Sequence, residues 1–227
     1  MKRATATADP SDPNILSAVG SLGRNYIDGG RPRDAVDLLA AAVARSRDAD
    51  GWLPSQLEYL HRDLAQAQAG AGQHEKAKAT VLEFVAASRA RNRPGGTPLA
   101  TTLSAAGPIL LEIGASAEAE AMLRECLAIR QKEQPDLWST FNTQSLLGGA
   151  LLGQKKYGDA EPLLVKGYEG MKARETAIPP QSRNRVPASL DRLVELYTAT
   201  NKPAEAARYR DLRAKFPREV LPAPRRE

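Results

Sequence analysis

Four alanines recur almost in step along this chain of 227 residues: Ala35, Ala77, Ala119 and Ala160, separated by 42, 42 and 41 residues. A fixed period in the range of roughly 20 to 50 residues marks units that cannot bury an apolar face alone and must stack on their neighbours. Other positions keep the same register. Twelve residues before each alanine stand Gly23, Ala65, Gly107 and Gly148, all small enough to let two helices approach closely. Five residues before stand Gly30, Gly72, Gly114 and Lys155. Three of these are the glycine expected where a helix ends in the left-handed conformation, and Lys155 is the exception. Four residues after come Leu39, Val81, Leu123 and Leu164, one helical turn further along the face of the alanine. Each alanine is therefore expected in a buried seam between paired helices.

A weaker fifth copy places its alanine at Ala206, with Asn201 at the turn, Val194 at the small position and Arg210 at the later apolar position. Its more polar outer face suits a terminal cap that stacks on one side only. The expected architecture is all-α, a right-handed α-solenoid of about five helix-turn-helix repeats over residues 12–215. The repeats fall at about 12–50, 53–92, 97–134, 136–178 and 183–215, between a flexible leader (1–11) and a flexible Pro/Arg tail (216–227).

Local signals place the helices. Asp12-Pro13 introduces a first helix over 14–28, with Asp12 as cap and Pro13 in the first turn. Its partner spans 32–47, and later pairs span 54–70 with 74–91, 98–113 with 116–133, 137–153 with 157–175, and 183–200 with 203–215. Pro162 lies in a first turn, where a missing donor costs little, whereas Pro108 lies deep enough to kink its helix or shift its start.

Composition narrows the function. With 42% hydrophobic and 26% charged residues the chain has the balance of an ordinary soluble protein, and no apolar run approaches the roughly 20 residues of a membrane span. The start, Met1-Lys2-Arg3-Ala4-Thr5, has no apolar stretch behind its basic residues and does not read as a secretory signal. A single cysteine excludes an internal disulfide framework and fits a reducing, cytoplasmic setting.

The pairs Leu22-Gly23, Leu64-Ala65 and Leu147-Gly148, and the segment Tyr157-Gly158-Asp159-Ala160-Glu161-Pro162-Leu163-Leu164, resemble the tetratricopeptide repeat (TPR) family. The longer unit is similar to that of kinesin light chains. Residues 117–214 carry a narrower resemblance. Ala119 to Arg130, Gln134-Pro135-Asp136, Trp138 to Gly148, Gly167 to Met171 and Ile178-Pro179-Pro180 are similar to the repeat region that follows the kinase domain in bacterial, notably planctomycete, serine/threonine protein kinases. That resemblance implies a regulatory or docking array linked to such a kinase, although this chain contains no kinase domain.

His61-Arg62-Asp63-Leu64 spells the start of a kinase catalytic loop, in which the Asp orients the substrate hydroxyl and an Asn five residues on holds metal. Here that later position is Gln68, no Asp-Phe-Gly follows, and Leu64 and Ala65 already occupy the buried positions of the repeat. The run reads as helix. Cys126 falls seven residues after Ala119, at a position facing the neighbouring helix, and reads as a buried structural thiol. His61 and His74 are the only histidines, and no cluster has metal-ligand spacing. No catalytic residue, cofactor or metal is expected.

The net charge of +5 keeps nucleic acid open, but the basic residues are dispersed and only 5% of the chain is aromatic, which is poor for base stacking. The cluster Arg89-Ala90-Arg91-Asn92-Arg93 has the ordinary explanation of cations at a helix C-terminus, and Arg225-Arg226 lies in the tail.

The TPR resemblance implies that the first helix of each pair lines a concave groove, at positions 18, 15 and 11 residues before each alanine. These are Ser17, Gly20 and Arg24; Tyr59, Arg62 and Gln66; Thr101, Ser104 and Pro108; and Asn142, Ser145 and Gly149. Arg24, Tyr59, Arg62, Gln66 and Asn142 bring charge, donors or an aromatic face and are the candidates for contacting an extended peptide. The expected function is a non-catalytic scaffold for a protein or peptide partner in kinase-linked signalling. Two alternatives stay open: the detached regulatory region of a kinase encoded elsewhere, and a nucleic-acid-associated regulator.

Overall fold

A computed structural model describes residues 12–46, 58–92 and 95–216. The expected leader, the helical stretch 54–57, Arg93-Pro94 and the tail beyond Phe216 lie outside the described residues. Ten α-helices and two short 3-10 turns are present among the described residues, and no strand. The helices are α1 (Pro13–Asp28), α2 (Pro32–Arg45), α3 (Tyr59–Gly70), α4 (His74–Arg91), α5 (Thr97–Glu112), α6 (Ser116–Glu133), α7 (Trp138–Gly153), α8 (Tyr157–Lys172), α9 (Arg185–Ala199) and α10 (Pro203–Ala214). The boundary between two compact bodies falls inside α4, between Ala87 and Ser88, shortly before the Gly95-Gly96 break. Each body is built from the same helical hairpins.

The hairpin turns repeat one hydrogen-bond pattern. Gly30, Gly72 and Gly114 have φ of 72°, 78° and 76°, and Lys155 and Asn201 adopt the same left-handed conformation at 60° and 53°. The amide of the next residue reaches back five positions each time. Arg31 N donates to Tyr26 O, Gln73 N to Gln68 O, Ala115 N to Leu110 O, Lys156 N to Leu151 O and Lys202 N to Tyr197 O, all at 2.8–2.9 Å. This is the Schellman closure, which satisfies carbonyls that a helix end leaves open. Lys155, the one odd residue in the sequence register, is thus held in a conformation that costs a side chain about 1–2 kcal/mol. Lys155→Gly is expected to gain about 1 kcal/mol and raise the melting temperature by about 2–4 °C, measured by thermal unfolding. An unchanged or lower melting temperature would show that the turn imposes no strain.

The seam has a simple packing rule. Ala35, Ala77, Ala119 and Ala160 are fully buried, Ala206 nearly so, and Leu39, Val81, Leu123 and Leu164 are buried beside them. A Cβ placed on Gly23, Gly107 or Gly148 would lie 2.6–2.8 Å from Leu39, Leu123 or Leu164 respectively. The leucine of one helix fills the space that a side chain on the other would need. In the second repeat the register pairs Ala65 with the smaller Val81, both buried, so one methyl is traded across the seam.

Three expectations are corrected. Leu22 is 44% exposed although Leu64 and Leu147, at the equivalent positions, are buried. Leu64 belongs to the apolar cluster formed with α1 and α2, whereas Leu22 lies in the first repeat and has no preceding repeat among the described residues to cover it. Pro108 does not shift the start of its helix, since α5 runs unbroken from Thr97 to Glu112. The helix after Tyr157 stops at Lys172, and the 3-10 turns Glu175–Ala177 and Pro180–Ser182 take up the longer step between Ala160 and Ala206. The terminal hairpin holds on by aromatic contact rather than by a leucine. Tyr209 stacks on Tyr197 at 5.4 Å and meets the edge of Tyr168 at 6.1 Å, while Arg210 is exposed as expected of a cap.

Candidate functional site

Two helices of the first body bring four of the five candidate residues together. Gly20 on α1 leaves room for α3, since a Cβ there would lie 2.6 Å from the Tyr59 ring and 2.8 Å from Leu60. The Tyr59 hydroxyl consequently reaches Ser17 Oγ at 3.1 Å. One turn along, Asp63 is 2% exposed, and its Oδ1 accepts from Arg24 and, at 3.0 Å, from Arg62 Nε. The Arg24 and Arg62 side chains are 45% and 41% exposed, so their guanidinium groups are fixed from below by the carboxylate and remain open to solvent above. Gln66 is half-buried one turn beyond Arg62. The result is a patch with an aromatic edge, two anchored guanidiniums and an amide, in excess positive charge.

In the His61-Arg62-Asp63 run, Asp63 is bonded by both arginines of the patch. A carboxylate that is buried under two guanidiniums is placed for structure, and His61 is likewise buried, 3.6 Å from Glu83. Gln68, at the metal-holding position of a kinase loop, accepts from the Thr80 hydroxyl at 2.8 Å inside the hairpin. Cys126 is fully buried, with Sγ 3.1 Å from the Ala100 carbonyl, and burial pushes its thiol up from the ordinary range. No group of three or more His, Cys, Asp or Glu residues that could hold a metal ion occurs among the described residues. Nor, among them, is any helix long and apolar enough to cross a membrane.

Asn142 stands apart, on α7 of the second body. It is 5% exposed, and its Oδ1 has no hydrogen-bond partner. Its neighbours on the same helix face, Ser145 and Gly149, are overlaid by Arg192 of α9. The guanidinium donates to Ser145 Oγ at 3.2 Å, and a Cβ on Gly149 would meet Arg192 Cδ at 2.9 Å. Of the α5 positions, Thr101 is exposed and bonds its own helix through Thr97 O, while Ser104 and Pro108 are half-buried. Arg89 of the basic cluster is paired with Glu125 at 2.6 Å.

Sequence reasoning missed two features near α9. One is a cavity of about 770 Å³ between the 3-10 turns and the last hairpin, lined by Ile178, Val186, Pro187, Arg183, Asp191 and Phe216. The other is Arg192 itself. The cavity depends on the extra residues before α9, which lengthen the step between Ala160 and Ala206, and Arg192 lies 14 residues before Ala206, outside the groove positions 18, 15 and 11.

No protein-family description matches the chain, and no curated protein matches it. Solved structures do. A Podosopora anserina kinesin light chain with nearly identical TPR-like repeats aligns with TM-score 0.65 at 20% identity, covering 91% of this chain and 95% of that one. BtubC (BKLC) from P. vanneervenii aligns with TM-score 0.66 at 16% identity, covering 94% of this chain and 85% of that one. A Rap protein complexed with Competence and Sporulation Factor aligns with TM-score 0.57 at 12% identity, over 89% of this chain and 63% of its own. At these identities the likeness establishes architecture, and it agrees with the hairpins, turns and seams described above: the chain has the all-α fold of TPR-like repeat solenoids.

Proposed function

We propose that the chain is a non-catalytic docking scaffold that holds an extended segment of a partner protein against the first helices of its hairpins. The observation that carries this reading is the α1–α3 patch, where Arg24 and Arg62 are locked by a buried carboxylate yet stay open to solvent. Donors fixed in advance lose little side-chain freedom on binding, which is how a preformed groove gains affinity. Tyr59 adds a rigid aromatic edge and Gln66 an amide able to pair with an extended backbone. Asn142, on α7 of the second body, is a separate candidate, with an Oδ1 that has no hydrogen-bond partner among the described residues. For the partner, the resemblance of residues 117–214 to kinase-borne repeats favours kinase-linked bacterial signalling.

The test is peptide selection on the purified chain, followed by titration of the selected peptides against Arg62→Gln/Gln66→Ala. Arg24 continues to neutralise Asp63 in this variant, so the hairpin is retained. A loss of about tenfold or more in affinity is expected, the equivalent of one or two charge-assisted hydrogen bonds. Selected peptides that bind the variant unchanged would remove the groove assignment. Salt-sensitive binding of random single-stranded oligonucleotides, unaffected by the same substitutions, would favour the nucleic-acid alternative.

A further inference from the structure

Position 14 before the landmark alanine faces the first helix of the preceding hairpin in both bodies, and it carries opposite charges. In the first body it is Asp63, neutralised by Arg24 from the position 11 before Ala35. In the second it is Arg192, counted from Ala206, and the matching position 11 before Ala160 is Gly149, which has no side chain to answer it. Arg192 bonds only the neutral Ser145 hydroxyl at 3.2 Å. The adjacent carboxylate of Asp191 is committed to Arg213 at 2.8 Å.

Arg185, two turns before Arg192 and on the same face of α9, adds a second charge. It is half-buried, and it has neither a hydrogen bond nor an ion pair with any described residue. It is also the first residue of α9, so the positive end of the helix dipole lies with it. Burial, and then repulsion from Arg185, lower Arg192 from the usual guanidinium range to about 10, which leaves it charged at neutral pH. Asp191 and Glu195 attract Arg192 electrostatically, but among the described residues no hydrogen bond or ion pair joins either to it, and two partly desolvated guanidiniums that repel each other without a bonded acid are costly unless an anion completes the site.

We propose that Arg185 and Arg192, with Ser145 and Asn142 of α7, form a binding site for the phosphate of a phosphorylated serine or threonine in a docked peptide. Charge complementarity selects phosphate over carboxylate. A phosphomonoester carries about −1.5 to −2 at neutral pH, which matches two guanidiniums, whereas a carboxylate neutralises one. Its oxygens also meet neutral donors, since Ser145 accepts from Arg192 and keeps its own proton to donate, and the Nδ2 group of Asn142 is a further donor on the same face of α7. This inference deepens the docking function and rests on it for the peptide, but the phosphate site is measurable without the α1–α3 patch.

The test uses the full chain and three capped amino acids: N-acetyl-O-phosphoserine methylamide, and the serine and glutamate equivalents, at physiological salt. The arginine Nε–Hε resonances are followed by NMR. Capped phosphoserine is expected to give saturable shifts at Arg185 and Arg192, with Arg185→Gln and Arg192→Gln each weakening binding about tenfold or more and Arg210→Gln leaving it unchanged. Because each substitution removes a half-buried charge that has no ion pair with a described residue, both variants are expected to unfold at or above the wild-type temperature. Capped glutamate binding as tightly as phosphoserine would overturn the proposal in favour of an acidic-peptide site. Shifts spread equally over exposed arginines would reduce it to non-specific attraction, and a melting temperature lowered in both variants would assign the pair a structural role instead. Selected peptides that bind Arg62→Gln/Gln66→Ala unchanged, with the phosphoserine shifts intact, would locate a failure in the α1–α3 patch alone.

Discussion

Gly167→Ala is expected to destabilise the second body by about 2 kcal/mol. Gly167 lies where α8 crosses α7, and a Cβ there would sit 2.6 Å from the Ser145 backbone nitrogen and 2.8 Å from the Phe141 carbonyl oxygen. Backbone atoms of a packed helix cannot step aside as a side chain can, so the two helices must part along their contact. Overpacking of this kind costs about 3 kcal/mol at the upper end of its range, and the better helix propensity of alanine returns about 1 kcal/mol. A net loss of about 2 kcal/mol corresponds to a melting temperature lower by about 4–8 °C. Gly158→Ala, one helix face away, is the matched control: nothing lies within 4 Å of its Cβ, and only the propensity gain applies. The pair of measurements separates packing from propensity. If both variants melt at or above wild type, the α7–α8 approach is looser than described.

The same contact shows what the sequence could and could not reveal. Gly167 falls seven residues after Ala160, the register position of Cys126, but its neighbour Ser145 is 22 residues away and the register alone does not show how closely the two backbones approach. Periodic features were legible because they arise from identical local physics in each unit. The left-handed turns, the small residue opposite each leucine and the buried alanines recur with the repeat, and even Lys155 adopts the conformation its register demands. Where the step lengthens, legibility fails. The 3-10 turns between α8 and α9 and the cavity beside them have no counterpart in the earlier repeats, whereas Arg192 keeps the register position of Asp63, 14 before its alanine, and lies outside the groove positions 18, 15 and 11. Leu22 failed for another reason. The sequence marks it as equivalent to Leu64, but exposure depends on whether a preceding hairpin covers it. The candidate patch was legible as residue types on one face, and Asp63, the group that fixes its arginines, was set aside with the catalytic reading of its motif.

Asp63 therefore carries the second large effect, and its sign can be worked out in advance. Removing both guanidiniums, in Arg24→Gln/Arg62→Gln, leaves a carboxylate that is 2% exposed without a cationic partner, which is expected to cost about 3–5 kcal/mol. Either substitution alone leaves one arginine on Oδ1 and is expected to cost about 1 kcal/mol. The double variant should thus lose more than the sum of the singles, as contacts within one network do. Adding Asp63→Asn to the double variant removes the stranded charge and is expected to recover much of the loss. Asp63→Asn alone strands nothing, because both arginines are more than two-fifths exposed and can return to water. Urea denaturation of the five variants measures the whole set. Additive losses with no recovery on Asp63→Asn would mean that Arg24 and Arg62 are ordinary surface charges, free to move. The docking function would then lose its preformed donors, because it rests on those two groups being held in place before a partner arrives.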